Sequence, residues 1–323
     1  MKKAIRIGTR ESQLAVWQAT QVQELLQQQG IASELVYIKS EGDIDLKTPL
    51  YEMGVQGVFT RSLDIALLND KIDIAVHSMK DVPTQLPKGI VQAAVLQRGS
   101  YKDLLVFKGD KETLYNQLRI VNGEWSLVNA ATISSFTIAT SSIRRKAQWL
   151  NRYPGHTIDN LRGNVNTRLR KLEESGWNGA IFAAAGLERI HLRPANSIEL
   201  DWMLPAPAQG AIMIVCREED TYAKENCALL NDADTALCAG IERDFLRTLL
   251  GGCSTPVSAL AIVQDGTVHF EGDILSLDGK QKAEIKKTIA VADSDDLGNK
   301  AAVELLQNGG QAIAEEIRKQ TNL

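Results

Sequence analysis

The chain has 323 residues, 44% hydrophobic and 24% charged, with a formal net charge of −4 and a pI near 5.7. That length predicts two to three domains with cores of their own, and the composition excludes a disordered polymer. No run approaches the ~20 apolar residues of a membrane span, and net acidity with only 5% aromatic residues argues against a long groove tracking nucleic-acid phosphates.

Met1-Lys2-Lys3 leads into an alternating strand pattern without the apolar run of a signal peptide, so a cytoplasmic location is the expectation. The first third alternates strand and helix: Ile5 to Gly8, a helix from about Ser12 to Gln29 ended by Gly30, then Glu34 to Ile38. This predicts a parallel sheet. The connection from Lys39 to Gly57 holds Gly42, Gly54 and Gly57 among charges and reads as a functional lid. A helix near Thr60 to Asn69 follows, then the strand Ile72 to Val76, the segment His77-Ser78-Met79-Lys80-Asp81-Val82-Pro83, and the apolar run Val91 to Leu96.

Ligands of open α/β sheets collect where strands end, and Pro83 can neither continue a ladder nor sit inside a helix. Asp81 is therefore the candidate catalytic carboxylate; a turn or cap aspartate is the alternative use.

A second α/β block runs from about Lys102 to Leu204, with strands at Phe136 to Thr140, Thr157 to Leu161 and Ala180 to Ala184, each followed by a helix. Asn122-Gly123, inside Arg119 to Ser126, predicts a small β excursion. From about Asp232 a helix through Leu250 leads to strands around Val257 to Val263, Val268 to Leu275 and Gln281 to Val291, with turns at Asp265-Gly266 and Asp278-Gly279, and helices close the chain. The predicted division is residues 1–98 with 211–229, then 102–204, then 232–323: two α/β domains and a small α+β domain with an antiparallel sheet.

Cys216, Cys227, Cys238 and Cys253 show no C-x-x-C pair and no histidine at zinc-like spacing, so metal is not expected. The first three read as core thiols, whereas Cys253 sits in a loop between Gly251-Gly252 and Ser254-Thr255-Pro256. Arg144, Arg145, Lys146, Arg152, Arg162, Arg168, Arg170 and Lys171 share one stretch in which Asp159 is the only acid. Several fall where strands give way to helices, where free N–H groups, the positive helix end and guanidinium forks favour anions. A small polyanion fits better than a solvated basic face, because arginine grips a carboxylate or phosphate in a bidentate plane.

The motifs together resemble the porphobilinogen deaminase (hydroxymethylbilane synthase) family. They are Ile7-Gly8-Thr9-Arg10-Glu11-Ser12 with Leu14-Ala15, the His77 to Pro83 segment, Thr140-Ser141-Ser142-Ile143-Arg144-Arg145, Leu161-Arg162-Gly163-Asn164-Val165 with Thr167-Arg168-Leu169, Ala184-Ala185-Gly186-Leu187, Leu204-Pro205-Ala206-Pro207-Ala208-Gln209-Gly210, and Gly251-Gly252-Cys253. In order and from end to end they are highly specific.

The resemblance implies two domains like those of periplasmic binding proteins, a cleft between them, and a third domain bearing a dipyrromethane cofactor joined by thioether to Cys253. It implies a transferase of porphyrin and haem biosynthesis that deaminates four porphobilinogen molecules and joins them head to tail on that primer, releasing linear hydroxymethylbilane and ammonia. Asp81 would be a buried carboxylate beside the pyrrole N–H, stabilising developing positive charge and relaying protons. Lys80, Ser142, Arg144, Arg145, Arg162, Arg168, Asn164 and Gly186 would bind the cofactor; Arg10, Ser12, Arg162, Arg168 and Arg189 would bind substrate. His77 would orient the loop. A monomer without nucleic-acid or membrane partners is expected.

Departures cluster in the suspected lid, where Glu41, Glu52 and Gln56 stand at positions the family commonly fills with basic residues. They imply intact cofactor assembly with altered elongation or substrate affinity. The excursion at 119–135 is longer than usual. A non-catalytic cytosolic anion-binding protein with the same cleft and a phosphate-handling transferase remain alternatives, but neither has a use for Cys253.

Overall fold

The computed structural model of the chain describes residues 4–39, 60–118, 120–121, 124–125, 136–249 and 255–321. The suspected lid, the Asn122-Gly123 turn and Cys253 lie outside the described residues.

Among the described residues, the first five-stranded sheet has the order Ser33–Tyr37, Ile5–Thr9, Ile74–Ser78, Ile212–Arg217, Ile90–Val95. The helix Gln13–Gln28 packs on it because Ala15, Ala19, Val22 and Leu26 recur at helical spacing and are buried. Ser12 starts that helix, its Oγ accepting from Ala15 N at 3.4 Å, and Gly30, at φ 72°, follows its end in the left-handed region.

The second sheet has the order Ser197–Glu199, Asp103–Phe107, Gly179–Ala183, Thr137–Ala139, Thr157–Asp159. The expectation of parallel pairing holds for some ladders only. Ile212–Arg217 runs antiparallel to both its neighbours, as does Asp103–Phe107 to Gly179–Ala183 and Ser197–Glu199. Both sheets are mixed, since an apolar run such as Ile212–Arg217 states its burial but not its direction or partner. The β excursion is present as a hairpin of Ile120–Val121 and Glu124–Trp125.

The chain thus leaves the first sheet near residue 96, builds the second, and returns to the first near 211. The two crossings lie against each other, with Gly99 N donating to Gly210 O at 3.0 Å. Gly210 has φ +88°, and a Cβ there would sit 2.7 Å from Gly99 O and 2.8 Å from Ser100 O, so only glycine allows the approach.

The last block is an antiparallel sheet of Val257–Gln264, Thr267–Leu275 and Lys282–Ala290, covered by the helices Ala233–Leu249, Leu297–Leu305 and Gln311–Thr321. Phe245 meets Phe270 edge-on, ring centroids 5.1 Å apart. The block grips both others. Gln148 on the helix Ile143–Arg152 donates to Ser258 Oγ at 2.8 Å, and Asn151 donates to Gly279 O at 2.7 Å.

Toward the crossings, Glu242 is fully buried and accepts from both Arg98 terminal nitrogens (2.6 and 3.0 Å), Ala208 N (2.6 Å) and Ala261 N (2.7 Å). A buried carboxylate is tolerated when its lone pairs are filled in this way.

Cys216, Cys227 and Cys238 are buried and free, their thiols pushed up by burial to about 11, 12 and 11, as core thiols should be. Among the described residues no helix is long and apolar enough to cross a membrane.

Candidate functional site

The strand Ile74–Ser78 ends in a single turn, Met79–Asp81. Met79 anchors the turn: its side chain is buried and its N–H donates to Ala211 O at 3.0 Å. Lys80 and Asp81 are therefore displayed at the carboxyl edge of the first sheet. Asp81 is exposed rather than buried as expected, because a one-turn element pinned by Met79 leaves its third residue beyond the core. His77 is buried with its Nε2 unpartnered, and burial together with the charge of Arg10 holds its pKa down at about 4. A neutral, enclosed imidazole suits an orienting role.

The second sheet supplies the cations. Its strand ends lead into the helices Ile143–Arg152 and Val165–Glu174, capped by Ser142 and Asn164: Ser142 Oγ accepts from Arg145 N at 3.4 Å and Asn164 Oδ1 from Thr167 N at 2.9 Å. The caps fix the start of each helix and so the directions in which Arg144, Arg145 and Arg168 leave it.

Arg144 and Arg145 converge on Asp103, which is fully buried. Arg145 Nη2 and Nε reach Asp103 Oδ1 at 2.7 and 3.1 Å, and Arg144 Nη2 reaches Oδ2 at 2.8 Å. Their remaining contacts are to backbone: Arg145 Nη1 to Ile181 O at 3.0 Å and Arg144 Nη1 to Leu204 O at 2.7 Å, while Arg144 Nε is buried without an acceptor. Burial alone would raise the Asp103 carboxyl, but the two guanidiniums more than offset it and hold it well below the usual range.

Gln209 links the two sheets at this point. Its Nε2 donates to Asp103 Oδ1 at 2.9 Å and Tyr101 O at 2.8 Å, and its Oε1 accepts from Lys80 Nζ at 3.3 Å. Burial pulls Lys80 down to about 8, with Arg145 and Arg144 adding to the fall and Asp81 and Asp103 opposing it.

Arg168, half-buried, donates through Nε to Gly163 O at 2.7 Å. Its pKa is pulled to about 10 by burial and by the like charges of Arg145 and Arg162, with Asp81 the opposing charge. Lys80, Asp81, Arg144, Arg145, Arg162 and Arg168 therefore share one electrostatic environment although they come from two sheets.

A second group of predicted residues meets along the start of the helix Gln13–Gln28. Asn166 donates to Gln13 Oε1 at 2.9 Å, a Cβ added at Gly186 would lie 3.9 Å from Leu14 Cδ2, and the Arg189 guanidinium lies 5.7 Å from the centre of the Trp17 ring. Arg189 also donates to Gly210 O at 2.6 Å and is lowered to about 10 by burial. Ser12 begins this helix and Arg10 lies half-buried two residues before it.

Asp103, Gln209, Glu242 and Arg243 were not singled out from the sequence as site residues. A signal existed for Asp103, a lone acid opening the unbroken apolar run Leu104-Leu105-Val106-Phe107; an acid at the head of a core strand demands a buried cation.

The family model described as "Porphobilinogen deaminase, dipyromethane cofactor binding domain" matches residues 5–225, and that described as "Porphobilinogen deaminase, C-terminal domain" matches residues 236–307. A porphobilinogen deaminase of Trichlorobacter lovleyi is 39% identical over 319 residues, covering 98% of this chain and 97% of its own. One of Syntrophotalea carbinolica is 41% identical over 316 residues, covering 96% and 95%. Among solved structures, the methionine binding protein MetQ aligns with a TM-score of 0.42 at 15% identity, over 74% of this chain and 94% of that one. Matches over nearly the whole length lead to one conclusion: the chain belongs to the porphobilinogen deaminase family.

Proposed function

We propose that this chain performs its family's reaction with Asp81 as the catalytic carboxylate and the cations around it as holders of pyrrole carboxylates. The activity is hydroxymethylbilane synthesis in tetrapyrrole biosynthesis: a transferase joins four porphobilinogen molecules head to tail on a dipyrromethane cofactor, releasing ammonia and linear hydroxymethylbilane.

The observation that carries the site assignment is the meeting of the two sheets at Gln209, which joins Lys80 beside Asp81 to the buried Asp103 that gathers Arg144 and Arg145. Enclosed cations that repel one another gain when a carboxylate arrives, and each charge-assisted hydrogen bond contributes on the order of 1.5–3 kcal/mol. A ligand with an acetate and a propionate on every ring matches that donor set. When bound, the dipyrromethane supplies the nucleophilic pyrrole carbon from which the product grows.

We assign Lys80, Ser142, Arg144, Arg145, Arg162, Asn164, Arg168 and Gly186 to the cofactor, and Arg10, Ser12, Arg162, Arg168 and Arg189 to substrate. Cys253 is the anchor. Ser142 and Asn164 act through the helix starts that they cap. Asp81 faces the positive charge that develops on the incoming pyrrole as ammonia leaves, and accepts the proton later lost at the reacting carbon. We also infer a monomer in the cytoplasm, in keeping with the free thiols of Cys216, Cys227 and Cys238 and with a third block already packed on the other two.

Intact mass under denaturing conditions tests the reading. Freshly made protein should carry a covalent dipyrrole that reacts with Ehrlich's reagent, and Cys253→Ser should show sequence mass only; an unmodified parent chain would refute the assignment. At the departures from the family pattern, Glu52→Lys with Gln56→Lys should change substrate affinity or elongation kinetics while cofactor content stays constant. Identical steady-state parameters would reject a role for those positions.

A further inference from the structure

The turn that presents Asp81 is held from behind by a residue of the third block. Arg243, on the helix Ala233–Leu249, is buried. Its Nη1 donates to Met79 O at 3.3 Å and Val82 O at 2.9 Å, and its Nη2 donates to Pro83 O at 2.6 Å. These carbonyls bracket Lys80 and Asp81 on both sides. The turn is also held by Met79 N to Ala211 O, Val82 N to Met79 O and Lys80 Nζ to Gln209 Oε1, and by the buried Met79 and Val82 side chains. Asp81 itself is exposed, so its own side chain adds no packing to the turn.

We infer that Arg243 is a positioning residue for Asp81, a role that rests on the assignment of Asp81 above. A planar fork with several donors fixes several acceptors in one frame, which a lysine ammonium on a flexible stem cannot do. The neighbouring Glu242 fastens the same helix to both crossings through Arg98 and Ala208, so the helix holding Arg243 is a rigid reference for the turn. Cys253 follows Arg243 by ten positions in the sequence.

The test measures turnover per cofactor-loaded molecule for Arg243→Lys, Asp81→Asn and the double variant. Displacement of a catalytic group by about an ångström lowers rate roughly 10- to 100-fold, so Arg243→Lys should lose that much in kcat with KM nearly unchanged and cofactor content by mass unchanged. In the Asp81→Asn background the same substitution should cost almost nothing more, because the group it positions is gone. Arg243→Gln, which keeps two N–H donors without the charge, is made alongside so that the outcome does not hang on one variant folding.

Parental kcat in the folded Arg243 variants, or an equal further loss on top of Asp81→Asn, would overturn the positioning role while leaving Asp81 in place. Parental turnover by Asp81→Asn alone would overturn the assignment of Asp81, and this inference with it.

Discussion

Asp81→Asn is expected to retain its covalent dipyrrole and its stability while turnover of porphobilinogen falls by about 10²- to 10⁴-fold, the range for loss of a positioned acid or base. The carboxamide keeps the shape of the side chain but neither accepts a proton nor opposes positive charge. Because Asp81 is exposed and contributes nothing to the core, its loss should not move the unfolding transition. The electrostatic neighbourhood should respond as well: Lys80 and Arg168 both feel Asp81 as their opposing charge, so its removal weakens their protonated forms. Near-normal product formation by the loaded variant would contradict the assigned role.

Asp103→Asn should show the opposite pattern, a large loss of stability. Asp103 is the buried acceptor for two buried guanidiniums and for Gln209. Removing one partner of a buried ion pair leaves uncompensated charge and costs about 3–5 kcal/mol, against the near-zero effect expected for the exposed acid. Denaturant unfolding of the loaded proteins compares the two directly, and an unchanged midpoint for Asp103→Asn would refute the argument.

The pH dependence has a definite sign. The folded carboxyl titrates below its unfolded value, so its contribution is fully present above the ordinary aspartate pKa near 4. It is lost only as pH falls through the depressed value. The stability gap between parent and variant should therefore be constant at neutral pH and close on acidification.

Much of the fold was legible in the sequence. The helix read over Thr60 to Asn69 spans Arg61–Leu68, and the strand read at Ala180 to Ala184 spans Gly179–Ala183. Periodicity and caps are local, and these elements are set locally. Strand direction is not local. The antiparallel strand Ile212–Arg217 reaches its partners from a distant segment, so the parallel sheet read from the first third was only partly right.

At the candidate site the arginines stood out as a charge run with a single acid, whereas Asp103 and Gln209 did not. Their importance comes from what they touch after folding, a lone acid and a lone amide each joining groups far apart in sequence. Arg243 was hidden for the same reason, since an arginine on an amphipathic helix reads as surface until its carbonyl partners are known.

The paired crossings at Gly99 and Gly210 have a consequence for how such a molecule is assembled. The middle segment enters and leaves its host through a doorway one hydrogen bond wide, so it is an inserted module whose ends need no spacer to meet. The passage between the two sheets runs through a seam where any side chain larger than hydrogen at Gly210 would wedge the doorway open.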